Sequence, residues 1–161
     1  MIPLYTFDHA LFLALNVLSG KLHTNSYLVV MRYTPEGESA VRSTHDFLRE
    51  EDFRYYKEQV PAYFPQVTLA GFEQDARLTG FIGTADGNIE MLFVENASRG
   101  KGIGRQLVRH AIEVLQATRT DVNEANTAAL GFYERMGFRV VSPSERGGEG
   151  QPYPLLHMQL G

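Results

Sequence analysis

The sequence predicts a single domain, residues 1–161, of the mixed α/β (α+β) class, with helices flanking a mostly antiparallel central sheet. The chain has 161 residues, a length typical of one domain. Apolar residues make up 43% of it and charged residues 21%, as in chains that bury one core. From position 67 onward, segments with strand and helix periodicity alternate, so we expect both kinds of element to share that core.

In the N-terminal third, the sequence predicts one strand, one helix and one segment that is compatible with either kind of element. Asp8 to Leu18 suits a helix or a buried strand, and we predict a helix; in another layout Ile2 to Phe7 is the first strand before it. Tyr27 to Tyr33 has the composition of a strand. Apolar residues at helical spacing predict a helix from Glu50 to Val60, which Pro61 should end or kink because it lacks an N–H.

The rest of the chain predicts the order β-β-β-α-β-α-β-β. Its strands are Val67–Phe72, Leu78–Thr84, Ile89–Val94, Thr118–Val122, Phe138–Val141 and Leu155–Leu160. Asp86-Gly87 is a typical hairpin turn between the second and third of these strands. The helices run from Gly102 to Gln116, and from a cap at Asn126 to a left-handed end at Gly137.

Composition restricts the chemistry and the partners. A net charge of -4 argues against a nucleic-acid binder, because neutralising phosphates requires a basic surface. The chain has no cysteine, which excludes disulfides and thiolate sites, and its histidines lack paired metal-ligand spacing. The apolar run Ala10 to Leu18 is too short to span a membrane, and no Lys or Arg precedes it as in a signal peptide. We expect a cytoplasmic protein without metal, nucleic-acid or membrane partners.

A glycine-rich loop from Arg99 to Arg105 connects a predicted strand to a predicted helix. The first N–H groups of a helix lack internal partners and lie at the positive end of its dipole, so the loop suits a phosphate group. A Walker loop is excluded because Gly102, not Ser or Thr, follows Lys101. A dinucleotide fingerprint is excluded as well, because it would need glycine at position 105 or 107, which are Arg105 and Leu107. A tight turn that binds nothing is the alternative.

Two motifs resemble those of the GNAT superfamily of N-acetyltransferases. Arg99, Gly102 and Gly104 match its acetyl-coenzyme A motif after the strand Ile89–Val94. A second motif is matched by Asn126, Ala129, Phe132, Tyr133, Gly137 and Phe138. The resemblance covers Val67 to Leu160. Ser43–Leu48, with its Thr-His-Asp-Phe sequence, and Gln151–Leu156 also resemble a bacterial subgroup whose substrates are mostly unassigned.

The resemblance implies a GNAT-like fold and a site for acetyl-coenzyme A (acetyl-CoA). The diphosphate would bind N–H groups of the loop, and the pantetheine arm would lie along Ile89–Val94, which splays from the next strand in this family. N–H groups near Leu92 to Val94 would bind the acetyl oxygen. The implied coenzyme-binding residues are Leu92, Phe93, Val94, Arg99, Gly100, Lys101, Gly102, Ile103, Gly104, Arg105, Asn126 and Tyr133.

Three residues are candidates for proton transfer. The resemblance implies that Tyr133 protonates the departing thiolate, the alternative being a core tyrosine. Glu90 is a candidate base, since strand alternation would place it on the apolar face of Leu92 and Val94; an ordinary solvent-facing glutamate is the alternative. His45 is a second candidate base, with helix capping as its alternative.

The predicted reaction is direct transfer of an acetyl group from acetyl-CoA to a primary amine of a small molecule or a peptide. No Gly-x-Ser-x-Gly nucleophile elbow is present, which favours transfer without a covalent enzyme intermediate. The alternative is a non-catalytic regulatory module that binds acyl-CoA. A homodimer is common among the proteins that the sequence resembles.

Overall fold

The computed structural model describes residues 9–11, 22–24, 30–33, 46–63, 66–74, 77–147 and 152–161. The strands are β1 (His9–Leu11), β2 (Leu22–Thr24), β3 (Val30–Tyr33), β4 (Thr68–Gln74), β5 (Arg77–Ala85), β6 (Asn88–Val94), β7 (Arg119–Asn123), β8 (Phe138–Ser144) and β9 (Leu155–Leu160). The helices are α1 (Glu50–Tyr63), α2 (Ile103–Glu113) and α3 (Thr127–Arg135). From β4 onward this is the predicted order of elements.

One large sheet organises the described residues. Its seven strands lie in the order β2-β4-β5-β6-β7-β9-β8. Every neighbouring pair is antiparallel except β6 and β7, which are parallel. Strands β1 and β3 form a separate antiparallel pair. The predicted mixed, mostly antiparallel sheet with flanking helices is therefore confirmed.

The core lies between the sheet and α2. Helix α2 buries Ile103, Leu107, Val108 and Ala111, which recur at helical spacing along one face. They pack in one cluster with sheet residues that include Ile82, Ile89 and Met158. Because β5 and β6 lie under α2, this packing places the end of β6 next to the first turn of the helix.

Gly80 on β5 allows the close approach of α2 to the sheet. A Cβ atom at this position would lie 2.8 Å from the carbonyl oxygen of Phe93 and 3.1 Å from a side-chain carbon of Ile103. We therefore expect Gly80→Ala to lower the free energy of unfolding by about 1–3 kcal/mol, the usual cost of overpacking. Urea denaturation measures it.

Gly71→Ala on β4 is the matched control for Gly80→Ala. Its added Cβ would meet only Cδ1 of Leu78, the mobile end of a side chain, at 2.9 Å. We expect a change within about 0.5 kcal/mol there, because the leucine can move and alanine restricts the unfolded chain. Equal losses in the two variants would contradict the close-approach explanation.

Helix α1 is held to the segment before β9 by a buried cluster. The Tyr153 hydroxyl donates to the carboxylate of Asp52, and the Arg49 guanidinium donates to the same carboxylate over 2.7 Å. Asp52 is 6% exposed, and the hydrogen bond from Arg49, followed by that from Tyr153, lowers the pKa of its carboxyl group. The first turn of α1 is thereby fixed relative to the sheet.

Two predictions for the N-terminal third are wrong in part. His9–Leu11 is a strand rather than a helix because it pairs with Val30–Tyr33; the rest of Asp8–Leu18 and the alternative strand Ile2–Phe7 lie outside the described residues. Helix α1 passes Pro61 and ends at Tyr63. Proline removes only one donor there, two residues before the helix ends.

Candidate active site

Strands β6 and β7 separate soon after they pair. Among the described residues they are joined only at Asn88 with Arg119 and at Ile89 with Thr120. Beyond this point β6 continues beside β5, and β7 stays paired with β9 along its whole length. The two strands therefore form a fork, and Glu90 and Asp121 are the first residues beyond its last pair.

A register shift turns Glu90 away from the apolar side of β6. Gly83 is paired with Met91, whereas Thr84 is paired with Ile89, so Glu90 is an additional residue on β6 relative to β5. Such a bulge interrupts the alternation of faces. The prediction that Glu90 shares a face with Leu92 and Val94 is wrong, since these residues line different cavities.

The first cavity, here called the helix-side cavity, has a volume of about 480 Å³. It lies between the end of β6, the first turn of α2, and α3. All the residues predicted to bind the coenzyme line it except Lys101, which is exposed. Residues that the sequence analysis did not assign to this site also line it: Ser98, Asp121, Val122, Asn123, Ala128, Ala129, Phe132 and Arg135.

The first turn of α2 gives the helix-side cavity the properties of an anion site. Gly100 and Gly102 have φ values of 76° and 82°, which favour glycine. Gly102 is the N-cap and has no side chain to accept from the first N–H groups of α2, so these donors remain for a ligand. Arg99, Arg105 and Arg135 line the same cavity and add positive charge.

Tyr133 lies at the fork on the helix side. Its phenol lies near the side chain of Thr120, whose hydroxyl donates to the carbonyl of Ile89 over 3.3 Å. The tyrosine is 3% exposed, its ring contacting Phe132 and Phe138 edge to face. Burial raises the pKa of the phenol above its ordinary value, although the nearby Thr120 hydroxyl acts in the opposite direction. The phenol is therefore a neutral donor at physiological pH.

Asn126 caps α3, as predicted. Its side-chain oxygen accepts from the N–H of Ala129 over 3.0 Å, which satisfies one donor of the first turn. The residue also lines the helix-side cavity. Its capping role orients α3, which carries Phe132 and Tyr133 into that cavity.

The second cavity, here called the sheet-side cavity, also measures about 480 Å³. Its lining is acidic, with Asp86, Glu90 and Asp121 against Arg119, whose guanidinium donates to the backbone carbonyl of Asp86 over 2.6 Å. Glu90 is 5% exposed and accepts from the Asn88 amide over 2.9 Å. Asp121, at the fork, is a lining residue of both cavities.

The sheet-side cavity contains a histidine–carboxylate pair that the sequence analysis did not identify. Nδ1 of His157 lies 2.5 Å from Oδ1 of Asp121. The two residues are 36 positions apart and come together only because β7 and β9 pair in this register. No short motif in the sequence could have revealed this pair. The third proposed proton-transfer residue, His45, lies outside the described residues.

The described ranges contain neither a metal cluster nor a membrane-spanning helix. Within them, no cluster of three histidine, aspartate or glutamate side chains could hold a metal ion. In the same part of the chain, every helix is too short or too polar to cross a bilayer.

Comparisons with known proteins agree with this geometry. Residues 30–160 match the family model described as the acetyltransferase (GNAT) domain. The chain is 40% identical over 121 residues to the peptidyl-lysine N-acetyltransferase YjaB of Salmonella typhimurium, covering 74% of this chain and 83% of the relative. The solution structure of apo YjaB from Escherichia coli superimposes with a TM-score of 0.68 at 35% identity, covering 75% of this chain and 83% of that one.

A more distant structure shares the fold and contains the donor. A GNAT family acetyltransferase from Elizabethkingia anophelis with acetyl-CoA bound has a TM-score of 0.58 at 14% identity, over 87% of this chain and 96% of that one. Because the family model covers most of the chain and the YjaB relatives are N-acetyltransferases, the chain belongs to the GNAT family and is an acetyl-CoA-dependent N-acetyltransferase.

Proposed function

We propose that this enzyme acetylates the side-chain amine of lysine in peptides or proteins by direct transfer from acetyl-CoA. The observation that carries this proposal is the acidic sheet-side cavity, which shares the lining residue Asp121 with the helix-side cavity. A lysine amine is mostly protonated at pH 7, and the carboxylates of Asp86 and Glu90 attract that charge. Relatives named for peptidyl-lysine acetylation support the same acceptor. A small-molecule amine is the second candidate.

The coenzyme would occupy the helix-side cavity. We assign its diphosphate to the N–H groups between Gly100 and Arg105, where the glycines permit close approach and the helix dipole attracts negative charge. Arg99 would contribute charge from beside the turn; its Nε donates to the Val94 carbonyl over 3.3 Å. The pantetheine arm would pair with β6 from Leu92 to Val94, which β7 leaves uncovered beyond the fork.

In this arrangement the acetyl carbon lies at the fork. The amine nitrogen forms a bond to the carbonyl carbon, and backbone N–H groups of β6 stabilise the negative charge that develops on the oxygen. The carbon–sulfur bond then breaks, and Tyr133 donates its proton to the sulfur. The ammonium gives up one proton before the attack to a base in the sheet-side cavity, where Glu90 is the predicted candidate, directly or through water. The nitrogen loses a second proton as the amide forms, and that proton returns Tyr133 to its neutral form, directly or through water.

Thiol release from acetyl-CoA tests the acceptor. A lysine peptide, the same peptide with the lysine replaced by arginine, and a panel of small amines are compared, and mass spectrometry locates the acetyl group. We expect thiol release with the lysine peptide, matched by acetylation at Nε, and only background release with the arginine peptide. Turnover of small amines alone would show that the acceptor is a small-molecule amine and not a lysine side chain. Binding of acetyl-CoA without turnover of any amine would support the regulatory alternative.

The remaining expectations concern the chain as a whole. We propose that residues 1–161 form a single domain, that the enzyme is a cytoplasmic homodimer, and that His45 is a further candidate base. Sedimentation velocity distinguishes a monomer from a dimer. Cell fractionation tests the location.

A further inference from the structure

The Asp121–His157 pair lies beside the fork, at the residue that the two cavities share. Asp121 lines both cavities and His157 lines the sheet-side one. The two residues are direct partners in the β7–β9 ladder. Their side chains are 13% and 27% exposed, so the imidazole can be reached from the cavity while the carboxylate behind it is mostly shielded.

The contact with Asp121 determines which imidazole nitrogen is basic. With Nδ1 2.5 Å from a carboxylate oxygen, the proton of a neutral imidazole is held on Nδ1. Nε2 then carries the lone pair and can accept a proton from a bound molecule. The carboxylate also stabilises the imidazolium that results, as in other aspartate–histidine pairs.

The surroundings of His157 suit a cationic acceptor. The charged groups of the cavity are Asp121 and Arg119 on β7, Glu90 on β6 and Asp86 in the preceding turn; on β8 the residue opposite His157 is the neutral Ser142. Arg119 is held at the Asp86 carbonyl. The carboxylates outnumber the one guanidinium in this cavity, and their negative charge attracts an ammonium group toward the imidazole.

We propose that His157 is the general base of this acetyl transfer and that Asp121 is its positioning residue. The inference rests on the proposed function. Nε2 takes one proton from the acceptor ammonium, and the neutral amine nitrogen then attacks the acetyl carbon. Glu90 binds the ammonium group and does not act as the base that takes its proton. The proton that the sulfur receives still comes from Tyr133, and the second proton that the nitrogen loses as the amide forms restores the phenol, directly or through water.

His157→Gln and Asp121→Asn test the proposal, with the amine that the wild-type enzyme uses best. We expect kcat/KM for the amine at pH 7 to fall about 100-fold or more in His157→Gln, as for other general bases. We also expect kcat/KM to fall in Asp121→Asn. The loss should shrink toward pH 9.5, because a neutral amine is then supplied from solution. The dissociation constant for acetyl-CoA should stay within about threefold, a difference of less than 1 kcal/mol.

Three controls separate this role from a structural one. His110→Gln on α2, outside both cavities, should retain wild-type kinetics, and melting temperatures show whether each variant is folded. A loss in His157→Gln that is equal at pH 7 and pH 9.5 would overturn the proposal. So would full activity in His157→Gln together with the loss of activity in Glu90→Gln. The preference of the wild-type enzyme among amines tests whether lysine is the acceptor. The ratio of kcat/KM in His157→Gln to kcat/KM in the wild type tests the role of His157, whichever amine is used.

Discussion

Replacing Tyr133 with phenylalanine is expected to lower kcat about 100-fold, within the usual contribution of general acid catalysis. The variant keeps the ring that packs between Phe132 and Phe138 but loses the hydroxyl that lies near Thr120 at the fork. Because burial raises the pKa of the phenol, Tyr133 should stay protonated through pH 9, and its ionisation should not limit activity below that pH. Steady-state kinetics with saturating acetyl-CoA measure the effect.

Binding and folding must be measured in the same Tyr133→Phe preparation. We expect the dissociation constant for acetyl-CoA to stay within about twofold, less than 0.5 kcal/mol, since the arginines and the first turn of α2 are untouched. Tyr55→Phe, at a position 42% exposed on α1, is the matched control and should leave kcat unchanged. Unchanged turnover in Tyr133→Phe would show that the tyrosine is only a core residue.

Gly104→Leu is expected to weaken acetyl-CoA binding about 100-fold or more, which corresponds to about 2.7 kcal/mol. A Cβ at this position lies 3.5 Å from the Phe132 ring and 3.6 Å from a methyl carbon of Val94, both residues of the helix-side cavity. The remainder of a leucine side chain would therefore project into the space assigned to the coenzyme. Isothermal titration calorimetry measures the change.

The folded protein should tolerate Gly104→Leu. The Cβ distances are ordinary van der Waals contacts, and leucine forms helices better than glycine by roughly 0.5–1 kcal/mol, so the melting temperature should not fall. Gln106→Leu, two residues further along α2 and exposed, is the control and should bind acetyl-CoA as the wild type does. Equal affinity in both variants would mean that the coenzyme does not use this cavity.

The fold was predictable where short-range geometry decides it. The hairpin between β5 and β6 needs two residues with positive φ, and Asp86 and Gly87 adopt φ values of 49° and 76°. The left-handed end of α3 at Gly137 and its cap at Asn126 follow from residue type in the same way. The end of α2 was less predictable: the helix stops at Glu113, before the expected Gln116, which itself has a positive φ.

The candidate site was predictable in part. The glycine-rich loop is a contiguous segment whose residues act together, so most of the residues that line the helix-side cavity could be named in advance. Lys101 was named as well, although its side chain is exposed outside the cavity. Arg135 was not assigned to this cavity, because its place there depends on how α3 lies against β6 and α2.

The turns and caps could be predicted from residue type, because each depends on the backbone preferences and hydrogen bonds of residues a few positions apart, and the family followed from two contiguous motifs. The direction in which Glu90 faces depends on the folded sheet, since its register with β5 contains an extra residue. The same holds for the Asp121–His157 pair, which exists because two strands distant in sequence align. A bulge within a hairpin and the register between strands distant in sequence both depend on packing across the sheet, which a single turn does not fix.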